Sequence, residues 1–163
     1  MQIKFKDFIT LQRGFDLPFH QRQSGEFDII SSNGFAEKHS EFKVKGEGVI
    51  TGRSGTIGKV FYTKDNFWPL NTTLWVKDFK GNSPKFVYYF LQQFKLEQYQ
   101  TGTGVPTLNR NFLDEIEFDL PDLATQQHIV DLACRCFIRR LLKSQTLFRL
   151  AFYSLALVQV ILL

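Results

Sequence analysis

Cysteine is almost absent from this chain, which contains two in 163 residues, Cys134 and Cys136. Two thiols cannot form a disulfide framework, and side chains at i, i+2 on a helix diverge, so we expect both to be reduced packing residues. No neighbouring histidine or further cysteine completes a tetrahedral metal set. This scarcity excludes a disulfide-stapled scaffold and a structural zinc site at these positions.

Long apolar runs are also missing. Residues 1–10 have no apolar core of a signal peptide, so we expect a cytoplasmic protein. Residues 150–163 are the most apolar, but Ser154 and Gln159 interrupt them. They fall short of the roughly 20 residues of a membrane span. We expect no membrane span, and a buried helix–helix interface instead.

Nucleotide-binding motifs fail at defined positions in the glycine-rich residues 46–59. A phosphate-binding loop needs glycine where Arg53 stands and a hydroxyl side chain where Val60 stands. The dinucleotide fingerprint fails because Thr51 occupies its third glycine position. No phosphate-cradling loop is predicted here.

The glycines at 52, 55 and 58 suit tight turns at strand ends. Such turns would bring backbone N–H groups and the Arg53 side chain close to a ligand. A plain hairpin with glycine turns is the alternative.

Catalytic side chains form no persuasive set. The three histidines are scattered, and Asp28 with Glu41 and Lys43 only loosely resembles the Asp…Glu-x-Lys set of metal-dependent nucleases. The pattern favours a binding module over an enzyme, with a stand-alone metal-dependent nuclease as an alternative.

Positive charge is concentrated in one part of the chain. Between Lys38 and Lys64 there are six basic and two acidic residues, and 6 − 2 equals the net charge of the whole chain, +4. A polyanion would meet the first half of the protein. An ordinary solvated face is the alternative.

Short β-branched or aromatic runs bounded by glycine, asparagine and serine predict strands near residues 28–31, 48–51, 59–63 and 72–76. Ser83 and Pro84 predict the N-terminus of a helix that packs on the sheet and ends by about Tyr99. Alternation through Ile116, Phe118 and Leu120 predicts a closing strand before a break at Pro121. The fold class is therefore α+β, a small mixed or antiparallel sheet domain.

A long C-terminal helix is predicted to open near Thr125. Its apolar positions recur at about 3.5-residue spacing, which indicates a coiled coil or bundle. The predicted partner seam consists of Val130, Cys134, Phe137, Leu141, Phe148, Phe152 and Leu155. The nearly uniform apolar character of residues 150–163 also suggests a truncated or frame-shifted remnant of something longer.

Several segments, taken in order, carry a specific resemblance. The chain resembles a half-length DNA specificity subunit of a type I restriction–modification system. The matching segments are residues 11–18 (LQRGFDLP), 31–34 (SSNG), 51–60 (TGRSGTIGKV), 71–74 (NTTL), 104–110 (GVPTLNR) and 120–129, with Leu120-Pro121, Gln126-Gln127 and Ile129.

This resemblance implies a target recognition domain, residues 1–122, that grips duplex DNA, and a spacer and dimerisation helix, residues 123–163. It implies no catalysis and no bound cofactor or metal. Partner methyltransferase subunits would use S-adenosylmethionine, and the restriction subunit ATP and Mg²⁺. One recognition domain and one helix imply a homodimer with paired helices. A helix-mediated protein-interaction remnant without DNA binding is the alternative.

Candidate DNA contacts follow from charge and from the resemblance together. Lys38, Lys43, Lys45 and Lys59 are expected to contact phosphates, and Arg53 a base edge. Asn109 and Arg110 are expected either to contact DNA or to anchor the loop to the strand behind it. The further candidates are Ser32, Asn33, Ser54, Thr56, Thr101 and Thr103.

Overall fold

A computed structural model describes residues 1–102 and 104–135 of the chain. The chain separates into two compact units, Met1–Gln126 and Gln127–Leu163. The strands are β1 Gln2–Lys4, β2 Thr10–Arg13, β3 Phe27–Ser31, β4 Gly34–His39, β5 Gly48–Gly52, β6 Val60–Thr63, β7 Phe67–Pro69, β8 Thr73–Asp78, β9 Gln100–Thr101, β10 Thr107–Leu108 and β11 Glu117–Asp119. The helices are α1 Phe5–Phe8, α2 Pro84–Gln93 and α3, residues 123–135. The α+β class is confirmed.

The largest sheet has four strands in the order β2-β8-β5-β6, and every neighbouring pair is antiparallel. All five residues of β5 are buried, and its β-branched Val49, Ile50 and Thr51 favour a central strand. All four strands predicted near residues 28–31, 48–51, 59–63 and 72–76 exist, with ends shifted by one or two residues.

A three-stranded sheet, β4-β3-β7, packs beside the first. β3 pairs antiparallel with β4 and parallel with β7. Ile30 and Phe67 from this sheet share a fully buried cluster with Ile50 of β5. This apolar contact fixes the two sheets against each other.

The predicted strand before Pro121 is β11, which pairs antiparallel with β1 at the other end of the chain. Phe118 of β11 lies among other phenylalanine rings, 5.3 Å from Phe8 and 4.7 Å from Phe90 between ring centroids. Phe5 and Phe8 are at most 1% exposed. The abundant phenylalanine thus forms the core that joins α1, α2 and β11.

Helix α2 begins at Pro84, as predicted, because proline needs no hydrogen-bond acceptor at the first helical position. Ser83 precedes it in extended conformation, but its side chain makes no capping hydrogen bond. The helix packs on β5 and β6. It ends at Gln93, within the predicted limit of about Tyr99. Lys95 then adopts a left-handed conformation (φ 50°) before a separate 3-10 turn, Leu96–Tyr99.

Helix α3 begins at residue 123, two positions before the predicted start. The Asp122 carboxylate accepts a hydrogen bond from the backbone N–H of Thr125 at 2.7 Å, which caps the first turn and holds the pKa of Asp122 below its usual value.

In the second unit, Val130 is buried and Cys134 is half-buried, whereas Ile129 and Leu132 are exposed. The other members of the predicted seam, Phe137, Leu141, Phe148, Phe152 and Leu155, lie outside the described residues. Of the helices that the structure describes, none combines the length and apolar character that crossing a bilayer requires.

Candidate nucleic-acid interface

The loop after β5 carries Arg53 into a crowded turn. A Cβ added at Gly52 would lie 1.6 Å from the carbonyl oxygen of Thr56, so only glycine fits there. Gly55 has φ +83°, a conformation that favours glycine. The alternative interpretation, a hairpin with glycine turns, is confirmed, since β5 and β6 pair antiparallel. The approach of Arg53 to a ligand stays a prediction.

Backbone hydrogen bonds fix this loop on both sides. The N–H groups of Arg53 and Ser54 both donate to the carbonyl of Thr72, at 2.8 and 3.1 Å. On the other side, the N–H of Leu108 donates to the Arg53 carbonyl at 2.8 Å, and Gly55 donates to Pro106 at 3.1 Å. The N–H groups of residues 53–55 are therefore engaged within the protein, and the Arg53 side chain is the part that can meet a ligand.

Arg53 lines an open cleft of about 1010 Å³. β2, β8 and residues 107–111 provide most of the remaining wall. Four basic side chains and one acidic side chain line it: Arg13, Arg53, Lys77, Arg110 and Asp16. This excess of positive charge in a concave surface suits a polyanion.

Asn109 and Arg110 lie in this cleft and also stabilise its wall. The Asn109 side chain accepts from the N–H of Asn111 at 3.1 Å and caps a 3-10 turn, Arg110–Phe112. Arg110 donates through Nη1 to the carbonyl of Leu11 at 2.8 Å. Arg110 therefore anchors the loop to β2, whereas the Asn109 bond lies within the loop itself. DNA contact by either residue stays a prediction.

Three hydroxyl and amide candidates form a second group near the same loop. The Thr56 hydroxyl donates to Asn33 Oδ1 at 2.5 Å. Ser32 is 7% exposed, and its backbone N–H donates to the Thr72 hydroxyl at 3.3 Å. Asn33 is exposed beside this turn, whereas the buried Ser32 supports it from beneath.

Thr101 of β9 lines the cleft, and its hydroxyl donates to the carbonyl of Thr107 at 3.3 Å. The antiparallel pairing of β9 with β10 holds this segment beside Arg53. Thr103 lies outside the described residues.

The four predicted phosphate-contacting lysines do not line the cleft. Lys38 on β4 lies 3.9 Å from Asp28, and the Lys43 ammonium lies 4.8 Å from the centre of the Trp68 ring. Lys45 and Lys59 are exposed. The structure brings Arg53, Thr101, Asn109 and Arg110 together and places the lysines on other parts of the surface.

Arg13 and Lys77 are cleft residues that sequence reasoning missed. Arg13 is the single charge of β2, and Asp78 follows Lys77 in β8, so a count of charge along the chain gives neither any weight. Their proximity comes from the pairing of β2 with β8. Within residues 1–102 and 104–135, no group of three or more His, Cys, Asp or Glu side chains is placed to hold a metal ion.

The fold is similar to that of solved specificity subunits. The chain is similar to the S subunit of the type I restriction–modification system from M. genitalium, with a TM-score of 0.70 and 19% identity over 81% of this chain and 37% of that one. It is similar to the HsdS subunit from Thermoanaerobacter tengcongensis, with a TM-score of 0.66 and 10% identity over 85% of this chain and 37% of that one.

A chain from a structure of the complex assembly and conformational transition of the type I R-M system gives a TM-score of 0.69 and 10% identity. That likeness covers 85% of this chain and 38% of that one, so the present chain spans well under half the length of these proteins. A comparison with curated protein sequences gives no match. The model of the type I restriction modification DNA specificity domain matches residues 1–133, and the chain therefore belongs to that family.

Proposed function

We propose that this chain recognises duplex DNA and gives sequence specificity to a type I restriction–modification complex without catalysis of its own. The observation that carries the proposal is the basic cleft, in which Arg53 stands on a loop fixed by hydrogen bonds on both sides. A fixed loop lowers the entropic cost of ordering a reading side chain on binding. Arginine suits the reading role because its guanidinium can donate two hydrogen bonds to a guanine edge.

The other proposed DNA contacts are of two kinds, phosphate contacts by lysines and further contacts near Arg53. Lys38, Lys43, Lys45 and Lys59 would contact phosphates flanking the site, which raises affinity without reading sequence. Further contacts near Arg53 would come from Asn33, Ser54, Thr56, Thr101, Thr103, Asn109 and Arg110, with Ser32 supporting the turn.

The proposed partners are methyltransferase subunits and a restriction subunit. The former would use S-adenosylmethionine to methylate adenine, and the latter ATP and Mg²⁺, in the cytoplasm. In this arrangement residues 1–122 bind DNA and residues 123–163 pair with a second copy, giving a homodimer. The pairing prediction places Val130 and Cys134 in the seam, but Val130 is buried within a single chain and Ile129 and Leu132 are exposed. We therefore add Ile129 and Leu132 as candidate pairing positions.

Co-expression with a type I methyltransferase subunit, followed by mapping of methylated adenines across a genome, tests the whole proposal. Two copies related by a twofold axis should produce a palindromic motif with a fixed gap. A non-palindromic motif would reject the homodimer but keep DNA recognition.

The purified chain separates the rival functions. The proposed function requires duplex binding that weakens as salt rises. A helix-only interaction remnant would bind no duplex, and a nuclease would cleave it when Mg²⁺ is added.

A further inference from the structure

Among the described residues, Asp16 is the one acidic side chain that lines the basic cleft. Its Oδ1 lies 3.6 Å from Nη2 of Arg13, and the same oxygen accepts a hydrogen bond from Nδ2 of Asn71. Both charged side chains are more than half exposed, at 52% for Arg13 and 70% for Asp16. The carboxylate thus joins an arginine of the cleft to a side chain that follows β7.

We propose, on the basis of the DNA recognition proposed above, that Arg13 clamps a backbone phosphate and that Asp16 is its positioning residue. A carboxylate beside a bound polyanion is unfavourable by charge alone. An ion pair that restricts the orientation of the guanidinium offsets this repulsion, because an oriented fork can donate two hydrogen bonds to one phosphate. Asn71 holds the carboxylate in turn, so the arrangement is supported from behind.

The three arginines of the cleft differ in how they are held. Arg110 has Nη1 committed to the Leu11 carbonyl. Arg13 makes an ion pair with one carboxylate at 3.6 Å, longer than a hydrogen bond, which leaves its donors available. Within the described residues, the Arg53 side chain makes no hydrogen bond or ion pair. Phosphate contacts position a protein on the duplex and base contacts carry its sequence preference, so Arg13 is assigned to a phosphate and Arg53 keeps the base edge.

The test compares Arg13→Ala and Asp16→Asn by fluorescence anisotropy of the full chain, with a duplex containing the mapped target and a scrambled duplex. Arg13→Ala should weaken binding to both duplexes by the same factor. The magnitude of the slope of log K against log salt should decrease by about 1. Asp16→Asn makes the decisive comparison. Charge alone predicts tighter binding when the carboxylate is lost, whereas positioning predicts binding that is weaker by roughly threefold to tenfold, as for a partly lost charge-assisted hydrogen bond.

The double variant Arg13→Ala/Asp16→Asn shows whether Asp16 acts through Arg13. In the Arg13→Ala background, loss of the carboxylate should no longer weaken binding. Arg22→Ala is the matched control, since Arg22 pairs with Glu37 at 3.3 Å but does not line the cleft. Circular dichroism verifies the fold of each variant, and Arg13→Lys, which keeps the charge without the fork, replaces Arg13→Ala should that variant not fold.

Tighter binding of Asp16→Asn to both duplexes would overturn the positioning role, and unchanged binding of Arg13→Ala would overturn the clamp. An absence of duplex binding by the unsubstituted chain would instead reject the proposed function. The two failures are therefore distinguishable.

Discussion

Gln126 donates a hydrogen bond through Nε2 to Oδ1 of Asn82 at 2.8 Å, between two buried side chains separated by 44 positions in the chain. Gln126 also donates to the carbonyl of Pro121 at 3.1 Å and accepts from the backbone N–H of Ser83 at 3.3 Å. The amide joins the first turn of α3 to the segment that precedes α2. Its donors and its acceptor are all used, which is the condition under which a buried amide is tolerated.

Replacing Gln126 with leucine should destabilise the fold, since Asn82 Oδ1 and the Ser83 N–H would lose their partner. Unsatisfied buried groups of this kind cost about 1–3 kcal/mol each in the free energy of unfolding. Urea denaturation followed by circular dichroism measures the loss. Gln127→Leu is the control because Gln127 is exposed, and we expect a change within about 0.5 kcal/mol. Equal effects of the two substitutions would contradict the role of the buried amide.

Arg53→Ala should reduce discrimination between the target duplex and a scrambled duplex, by about 1–3 kcal/mol for the loss of one bidentate base contact. Lys59→Ala should weaken binding to both duplexes equally and lower the salt dependence, as for a phosphate contact. Competition binding with the two duplexes measures both effects. An Arg53→Ala chain that directs methylation of the same sites at an undiminished rate would exclude Arg53 from base reading.

Gly52→Ala should destabilise the loop that positions Arg53. The added Cβ would lie 1.6 Å from a backbone oxygen that no rotamer change can move, so the strands must shift at a cost of about 1–3 kcal/mol or more. The melting temperature should fall, and duplex binding should weaken. At Gly104 an added Cβ meets nothing within 4 Å, so Gly104→Ala should leave the melting temperature nearly unchanged. A Gly52→Ala chain as stable as Gly104→Ala would refute the close approach.

The sequence predicts those strands whose own residues are β-branched or aromatic and are bounded by turn residues. β5 is β-branched and ends at glycine, whereas β4 was missed because four of its six residues are exposed and show no alternation. An edge strand with little burial shows no alternation of apolar and polar residues in the sequence. Helix α2 was predicted correctly to begin at Pro84 and to end by Tyr99, but its last residue was not, because the left-handed turn at Lys95 has no glycine to indicate it.

The residues that line the cleft could be predicted from the sequence only in part. Arg53 was predicted from its glycine turns, but its neighbours come from distant strands, and Arg110 and Leu11, which bond each other, are 99 positions apart. Charge density along the chain favoured residues 38–64, whereas the charge around the cleft includes Arg13 and Lys77 from paired strands. Such a set becomes visible only when strand pairing is known.

Glu115 should make stability depend on pH in the acidic range. Its carboxylate accepts hydrogen bonds from the ammonium groups of Lys4 at 2.5 Å and Lys6 at 2.6 Å, and these bonds with the two positive charges lower the pKa of Glu115 from 4.5 to about 2. Because the folded pKa lies below the unfolded one, the stabilisation is complete above about pH 4.5 and is lost as the pH falls towards 2. The difference in melting temperature between the unsubstituted chain and Glu115→Gln should therefore be largest near neutral pH and disappear near pH 2.

Added salt should shrink this difference in melting temperature, since the groups are exposed. Glu41→Gln, which changes another exposed carboxylate, supplies the control, and a Glu115→Gln difference that persists unchanged at pH 2 would contradict the ion-pair explanation.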